Sequence, residues 1–188
     1  MSEKKEGFEI LKVGVILFLI TAAAAMILAF VNSVTAPIIA EQESLKMQEA
    51  MAEVLPGADD FEEIPLELSQ DSDLTGLYET DKGFVVFAAP KGYGGEITMA
   101  VGIDNEYKIA GISIISQSET AGLGAKCTEK DWQKQFIGKT ENIAVSKNGA
   151  SGNQIDAISS ATITSKAVTK AVNEAITAVK SLEVTDDE

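Results

Sequence analysis

The chain has 188 residues, no histidine, a single cysteine (Cys127) and a formal net charge of −14. This length allows a membrane anchor and one compact domain. The negative charge disfavours nucleic acid and anionic lipid surfaces as partners. Without histidine there is no imidazole base and no histidine ligand for zinc or haem, and one cysteine cannot form an intramolecular disulfide. We therefore expect the chemistry to come from a bound cofactor, carboxylates or hydroxyls.

The N-terminal part of the chain contains a long apolar segment. Residues 13–40 carry no charged side chain, and residues 13–31 in helical form span roughly 28 Å, close to the thickness of a hydrocarbon core. Asn32, Ser33 and Pro37 indicate the end of the span, since proline does not continue a helix easily. The pattern predicts a transmembrane helix over residues 13–33. A cleaved signal peptide is the alternative, although its apolar region is usually shorter.

The lysines around this segment predict its orientation. Lys4, Lys5 and Lys12 precede the span, and the next lysine after it is Lys46. Cytoplasmic flanks are enriched in lysine and arginine. We therefore expect residues 1–12 in the cytoplasm and the rest of the chain on the extracytoplasmic side.

Residues 34–74 connect the span to the following domain. A partial apolar stripe over residues 41–55 predicts an amphipathic helix that Pro56 and Gly57 terminate. Acidic side chains concentrate in residues 59–73. Such a run is typical of a solvated loop, and we interpret it as one.

Residues 75–188 have the pattern of a small α+β domain. Turn residues at 81–83 and 104–106 separate alternating apolar segments, which predicts two antiparallel hairpins. Apolar residues at helical spacing near the C-terminus predict an amphipathic helix that packs on the sheet. The expected elements are strands 77–80, 84–87, 96–103 and 108–116, a short helix 131–136, a strand 143–145 and a helix 164–182.

A hydroxyl-rich segment, residues 156–165, comes just before the C-terminal helix. The start of a helix presents unpaired N–H groups and a partial positive charge, and both favour a bound phosphate. Thr164 or Ser165 can equally serve as an ordinary N-cap, which requires no ligand. The residues alone leave both interpretations open.

Residues 156–162, DAISSAT, resemble the flavinylation motif D-g-x-s/t-g-A-T of proteins modified by the FMN transferase that uses FAD as donor. The resemblance implies that Thr162 receives FMN through a phosphoester and that Asp156 is needed for the transfer. Ala157 and Ser160 stand where the motif usually has glycine, so the backbone stays accessible but a positive φ at Ser160 is disfavoured. The motif positions before the acceptor are Asp156, Ser159, Ser160 and Ala161.

Residues 92–126 resemble the FMN-binding domain, whose members have a glycine-rich start, a hairpin and an E-T-P-G-L-G loop. Ala121 replaces the proline here. The resemblance implies that this loop lies near the flavin. The expected contacts are Glu119, Thr120, Leu123, Gly124, Lys126 and, on the helix, Thr164. The alternatives are that Glu119 is a solvated loop carboxylate and that Leu123 fills the core. We expect Trp132 and Tyr93 to pack in the core rather than stack on the flavin, and we expect no role for Cys127.

Nearly the whole chain resembles the RnfG family of Rnf ion-translocating electron-transport complexes, and the NqrC proteins of NADH:quinone oxidoreductase are the close relatives. The resemblance implies a membrane-anchored protein that relays electrons between the other Rnf components, with an FMN transferase as maturation partner. Such complexes couple electron transfer between ferredoxin and NAD to Na⁺ or H⁺ movement, and the isolated chain is expected to show little turnover. An NqrC-like role, a stand-alone extracytoplasmic FMN reductase and a flavin-free binding module remain alternatives.

Overall fold

A computed structural model describes residues 2–65 and 72–186 of the chain. It divides into two compact units, with the boundary between Leu45 and Lys46. The first helix, α1, comprises Ser2–Val54, so it begins in the first unit and ends in the second.

The first unit is a single apolar stretch of α1. The segment Lys12–Val54 contains an 18-residue window with a mean hydropathy of 2.7, none of it buried, so α1 is long and apolar enough to cross a membrane. Pro37 lies inside α1, and the expectation that it interrupts the helix was wrong. Proline has no N–H, so Pro37 removes one intrahelical bond, that to the carbonyl four residues earlier, and α1 continues on both sides of it.

The second unit is built on a five-stranded antiparallel sheet in the order β1-β2-β3-β4-β5. The hairpins β2–β3 and β4–β5 are those predicted from the turn residues. The strands are β1 (Glu62–Glu63), β2 (Leu74–Thr80), β3 (Gly83–Ala88), β4 (Ile97–Asp104) and β5 (Ile109–Gln117).

The short edge strand β1 falls within the predicted acidic loop. Glu62 and Glu63 pair with Glu79 and Tyr78 of β2, so this part of the segment is not a loop. Both glutamates are exposed, and a charged, two-residue edge discourages further strand pairing. The loop prediction for residues 66–71 lies outside the described residues.

Helices cover both faces of the sheet. Side chains alternate along each strand: Val85 and Phe87 of β3 face the end of α1, whereas Val86 faces the opposite core. The C-terminal helix α3 comprises Thr162–Asp186 and buries the apolar stripe predicted for it. Its buried members include Val168, Ala171, Val172, Ala175, Ile176 and Val179.

A polar contact fixes the end of α1 over β5. Glu53 accepts a hydrogen bond from Ser113 Oγ at 2.6 Å and pairs with Lys130. Burial opposes ionisation of Glu53, but the bonds from Lys130 and Ser113 outweigh it and hold the pKa of this carboxyl below its ordinary value.

Short elements connect the sheet to α3. A 3₁₀ turn (Gly124–Thr128), the helix α2 (Lys130–Gln133) and a second 3₁₀ turn (Lys134–Phe136) follow β5. The strands β6 (Ala144–Ser146) and β7 (Gln154–Asp156) then form a parallel pair. The sequence predicted the helical region and β6 but not β7, because three residues provide too little alternation to identify a strand.

Candidate functional site

A cleft of about 450 Å³ lies where three segments of the second unit converge. These segments are the glycine turn at residues 92–95, the loop at residues 119–124 and the first turn of α3. The lining residues are Tyr93, Glu119, Thr120, Leu123, Gly124, Ser160, Ala161, Thr162, Ile163 and Thr164.

The start of α3 supplies free backbone donors to this cleft. The first helical bond runs from the Ser165 N–H to the Ala161 carbonyl at 3.0 Å, so Ala161 occupies the N-cap position. Alanine has no capping side chain. Within the described part of the chain, the N–H groups of Thr162, Ile163 and Thr164 donate to no other group. Three free donors at the positive end of a 25-residue helix favour a bound anion.

The expectation that Thr164 or Ser165 caps the helix was wrong, since both lie within its first turn. The Ser165 hydroxyl instead donates to the Ala161 carbonyl at 3.0 Å and accepts the Ile158 N–H at 2.9 Å. This buried side chain ties the helix start to the segment before it. The hydroxyl is therefore engaged in the fold rather than in the cleft.

The two threonines of this turn differ in accessibility. Thr164 is 1% exposed, and its Oγ1 donates to Glu119 Oε2 at 2.6 Å. Thr162 is partly exposed, lines the cleft and makes no side-chain hydrogen bond within the described residues. Of the two hydroxyls, only that of Thr162 is open to a reactant.

Glu119 belongs to the loop and bonds to both of the other segments, the glycine turn and the first turn of α3. Its Oε2 accepts the Thr164 hydroxyl, and its Oε1 accepts the Gly94 N–H at 2.8 Å. The side chain is partly buried and bonded at both oxygens, so the interpretation as a solvated loop carboxylate was wrong.

Ser160 has the backbone conformation for which the motif usually carries glycine. Its φ is +63°, in the left-handed region. A side chain costs about 1–2 kcal/mol there relative to the right-handed form. The departure from the motif noted at this position is therefore accommodated with local strain.

Three of the predicted site residues do not line the cleft: the motif residues Asp156 and Ser159, and Lys126, which was expected to contact the flavin. Asp156 ends β7 with an exposed side chain, and its backbone is held by the Gln135 side chain at 2.7 Å and by Trp132 Nε1 at 2.8 Å. Lys126 is exposed within a 3₁₀ turn. Lys126 is not among the residues that line the cleft, and its contact with the ligand stays a prediction.

The cleft also contains two residues that were not selected from the sequence, Tyr93 and Ile163. Tyr93 is 75% exposed, so its interpretation as a core residue was wrong. Leu123 is 41% exposed and likewise does not fill the core. The position of Tyr93 between two glycines could have indicated its exposure, because a flexible glycine turn lies at the surface and does not bury an aromatic side chain. Ile163 lies next to the motif's threonine, on the outward face of the helix.

Trp132 and Cys127 are buried, and Trp132 packs in the core as expected. Trp132 is buried and packs edge-to-face against Phe136, with 5.3 Å between the ring centroids. Burial, with the charge of Glu119 as a smaller cause, raises the pKa of the Cys127 thiol to about 11. A buried thiol of this pKa is not a nucleophile at neutral pH.

The residues of the cleft fit FMN. The free N–H groups at Thr162, Ile163 and Thr164 suit a phosphate, and the small residues Ser160 and Ala161 leave the backbone approachable. Exposed apolar side chains at the opening, among them Tyr93, Leu123 and Ile163, suit a flat aromatic ring. Together these features suit a ligand that carries both an anionic group and an aromatic ring.

Two family models match this chain and identify the class of protein. Residues 92–177 match the family model described as "FMN-binding domain", and residues 1–54 match that described as "RnfG N-terminal region". The second unit of this chain thus contains an FMN-binding domain, and it follows an apolar helix of membrane-spanning length.

Whole-chain relatives identify the family. The G component of the Na⁺-translocating ferredoxin:NAD⁺ oxidoreductase complex of Acetobacterium woodii is 38% identical, with 92% of this chain and 93% of that protein covered. The G component of the ion-translocating oxidoreductase complex of Methanosarcina acetivorans is 35% identical, with 97% and 100% covered. The chain belongs to the RnfG family, the G components of Rnf-type ion-translocating oxidoreductase complexes.

Two of the solved structures that are similar to this chain are NqrC proteins. That of Parabacteroides distasonis is 25% identical, with a TM-score of 0.47, and the match covers 53% of this chain and 57% of that one. NqrC of Shewanella oneidensis is 22% identical, with a TM-score of 0.44 and coverages of 52% and 53%.

Proposed function

We propose that this chain is a membrane-anchored flavoprotein that carries FMN in phosphoester linkage to Thr162 and relays electrons within an Rnf-type complex. The observation that carries the proposal is the contrast between the two hydroxyls of the first turn of α3. Thr162 is open to the cleft, whereas Thr164 is buried and bonded to Glu119. The DAISSAT motif selects the same threonine.

The residues of the cleft divide the work of holding the cofactor. The free N–H groups at the start of α3 offset the negative charge of the phosphate, while Tyr93, Leu123 and Ile163 provide apolar contact for the ring. The bound flavin supplies the redox chemistry, and the protein supplies position and electrostatics. A covalent link keeps the local flavin concentration high on the side of the membrane where free cofactor is otherwise lost.

Asp156 has a different role in this proposal. Its side chain is exposed and outside the cleft, six residues before the acceptor. A surface carboxylate at that place is available to a second protein and not to the bound flavin. We therefore assign Asp156 to recognition or reaction with the FMN transferase during maturation.

The proposed membrane arrangement follows from the lysines and from α1. Residues 1–12 lie in the cytoplasm, residues 13–33 cross the membrane, and the FMN-binding domain within residues 75–188 lies on the extracytoplasmic side, connected by residues 34–74. The motivating features are the three lysines before the span and the uncharged stretch that follows. Trypsin added to intact spheroplasts is expected to degrade the domain, and protection until the membrane is permeabilised would contradict this orientation.

The relatives' names supply the wider assignment. The Acetobacterium woodii protein is named as part of a Na⁺-translocating ferredoxin:NAD⁺ oxidoreductase complex. By similarity we propose that this chain works with the other membrane proteins of such a complex and has little turnover alone. The span of α1 has no charged residue between positions 13 and 40, so it offers no ion pathway by itself.

Intact-mass spectrometry of the full chain co-expressed with an FMN transferase tests the attachment site. The wild-type chain is expected to gain the mass of one FMN less one water, and Thr162→Ala is expected to lack it. Thr164→Val removes the rival acceptor of the turn together with its hydrogen bond to Glu119, and it is expected to carry the same added mass on Thr162 at reduced occupancy. Retention of FMN by Thr162→Ala would overturn the assignment.

A further inference from the structure

Glu119 occupies a space that two glycines create for it. A Cβ built on Gly92 would overlap Glu119 Oε1, and one built on Gly124 would overlap Oε2 and lie 2.7 Å from Thr164 Oγ1. Real Cβ atoms do not approach polar atoms this closely. The glycine turn and the loop of the cleft therefore lack side chains at the positions where they enclose one carboxylate.

The two oxygens of this carboxylate bond to different elements. The Gly94 N–H reaches Oε1 from the glycine turn, and the Thr164 hydroxyl reaches Oε2 from α3. The carboxylate itself comes from the loop after β5. Three segments that are distant in sequence, with separations of 25 and 45 residues from Glu119, are thus joined through a single side chain.

From this geometry we propose that Glu119 is a positioning residue: it clamps the glycine turn and the first turn of α3 together and so preforms the cleft before flavin is attached. The function of the cleft rests on the FMN assignment above, but the clamp belongs to the flavin-free protein. The clamp also keeps the Thr164 hydroxyl engaged, which leaves Thr162 as the hydroxyl presented to the cleft.

The length of the Glu119 side chain matters more than its charge in this account. Glutamine has the same reach: its oxygen can accept the Gly94 N–H while its amide donates to Thr164 Oγ1. Aspartate keeps the charge but is one methylene shorter, so it cannot reach both partners. Glu119→Gln is therefore expected to preserve the clamp, and Glu119→Asp and Glu119→Ala are expected to release it.

Hydrogen–deuterium exchange of the flavin-free full chain in detergent micelles, resolved to single amides, tests the clamp. The Gly94 amide loses its acceptor in Glu119→Ala and is expected to exchange roughly 10- to 100-fold faster there than in the wild type. Glu119→Asp is expected to resemble it, and Glu119→Gln to resemble the wild type. Glu129→Ala is the control, since that exposed carboxylate makes no side-chain bond within the described residues.

Two results would overturn the clamp. One is an unchanged exchange rate at Gly94 in Glu119→Ala. The other is exchange in Glu119→Gln as fast as in the alanine variant, which would assign the effect to charge. If instead Thr162→Ala kept its FMN, the attachment site would fail while the exchange measurement still decided the clamp.

Discussion

Replacing Ser160 by glycine is expected to stabilise the domain slightly. Ser160 has φ +63°, where a residue with a Cβ is about 1–2 kcal/mol less stable than in the right-handed region. Glycine removes that strain but loses roughly 0.5–1 kcal/mol through the greater freedom of the unfolded chain. The difference between these two ranges gives an expected gain of about 0–1.5 kcal/mol, with a central value of about 0.75 kcal/mol.

The assay is thermal unfolding of the flavin-free full chain in detergent, monitored by the circular dichroism signal of the β-sheet. For a domain of this size the gain corresponds to a rise in Tm of up to about 6 °C, with a central value of about 2 °C. Gly122→Ala is the matched control, because Gly122 has φ +76° with no neighbour to meet a new Cβ. It is expected to lower Tm by a similar amount. A Ser160→Gly variant less stable than the wild type would refute the strain argument.

Three further outcomes follow from the packing and the charges. Gly102→Ala is expected to destabilise the domain by about 1–3 kcal/mol in thermal unfolding, because its Cβ would overlap the carbonyl of Val54 at the end of α1; an unchanged Tm would contradict that close approach. Cys127 is expected to resist a maleimide in the native protein and to react on denaturation, as read by mass spectrometry, since its thiol is buried with a pKa of about 11. The pKa of Glu53 is lowered in the folded state, so its ion pair stabilises above the carboxyl pKa of the unfolded chain and is lost as pH falls through the folded value. The difference in Tm between wild type and Glu53→Gln is expected to be full above the carboxyl pKa of the unfolded chain, about 4.3, and to shrink as pH falls below it; a difference that grows in acid would contradict the lowered pKa.

The fold was predictable where local chemistry determines it. The turn at residues 81–83 and the turn at residues 104–106 each separate two alternating segments, and both hairpins formed as expected. The apolar stripe of α3 likewise predicted its buried face. The strand β7 was not predicted, because its pairing with β6 depends on tertiary contacts rather than on local sequence. The continuation of α1 past Pro37 was not predicted, because proline's local preference does not determine where a helix ends in an apolar environment.

The site was predictable in its motifs and less so in its geometry. Glu119, Thr162 and Thr164 were expected at the ligand and do line the cleft. That Thr164 is turned to Glu119 while Thr162 remains open depends on how α3 begins, and Ala161 at the N-cap gives no side-chain signal for this. Tyr93 was missed because its environment is set by tertiary contacts of the glycine turn. Lys126 was included because the loop motif does not show where the 3₁₀ turn begins.

Tandem mass spectrometry of a tryptic digest tests the central claim most directly. Cleavage after Lys147 and Lys166 releases residues 148–166, which contain Thr162 and Thr164 in one peptide. In chain co-expressed with an FMN transferase, fragment ions are expected to place the mass of one FMN less one water on Thr162. The same mass on Thr164, or a peptide without it beside flavin that dissociates on denaturation, would contradict a phosphoester at Thr162.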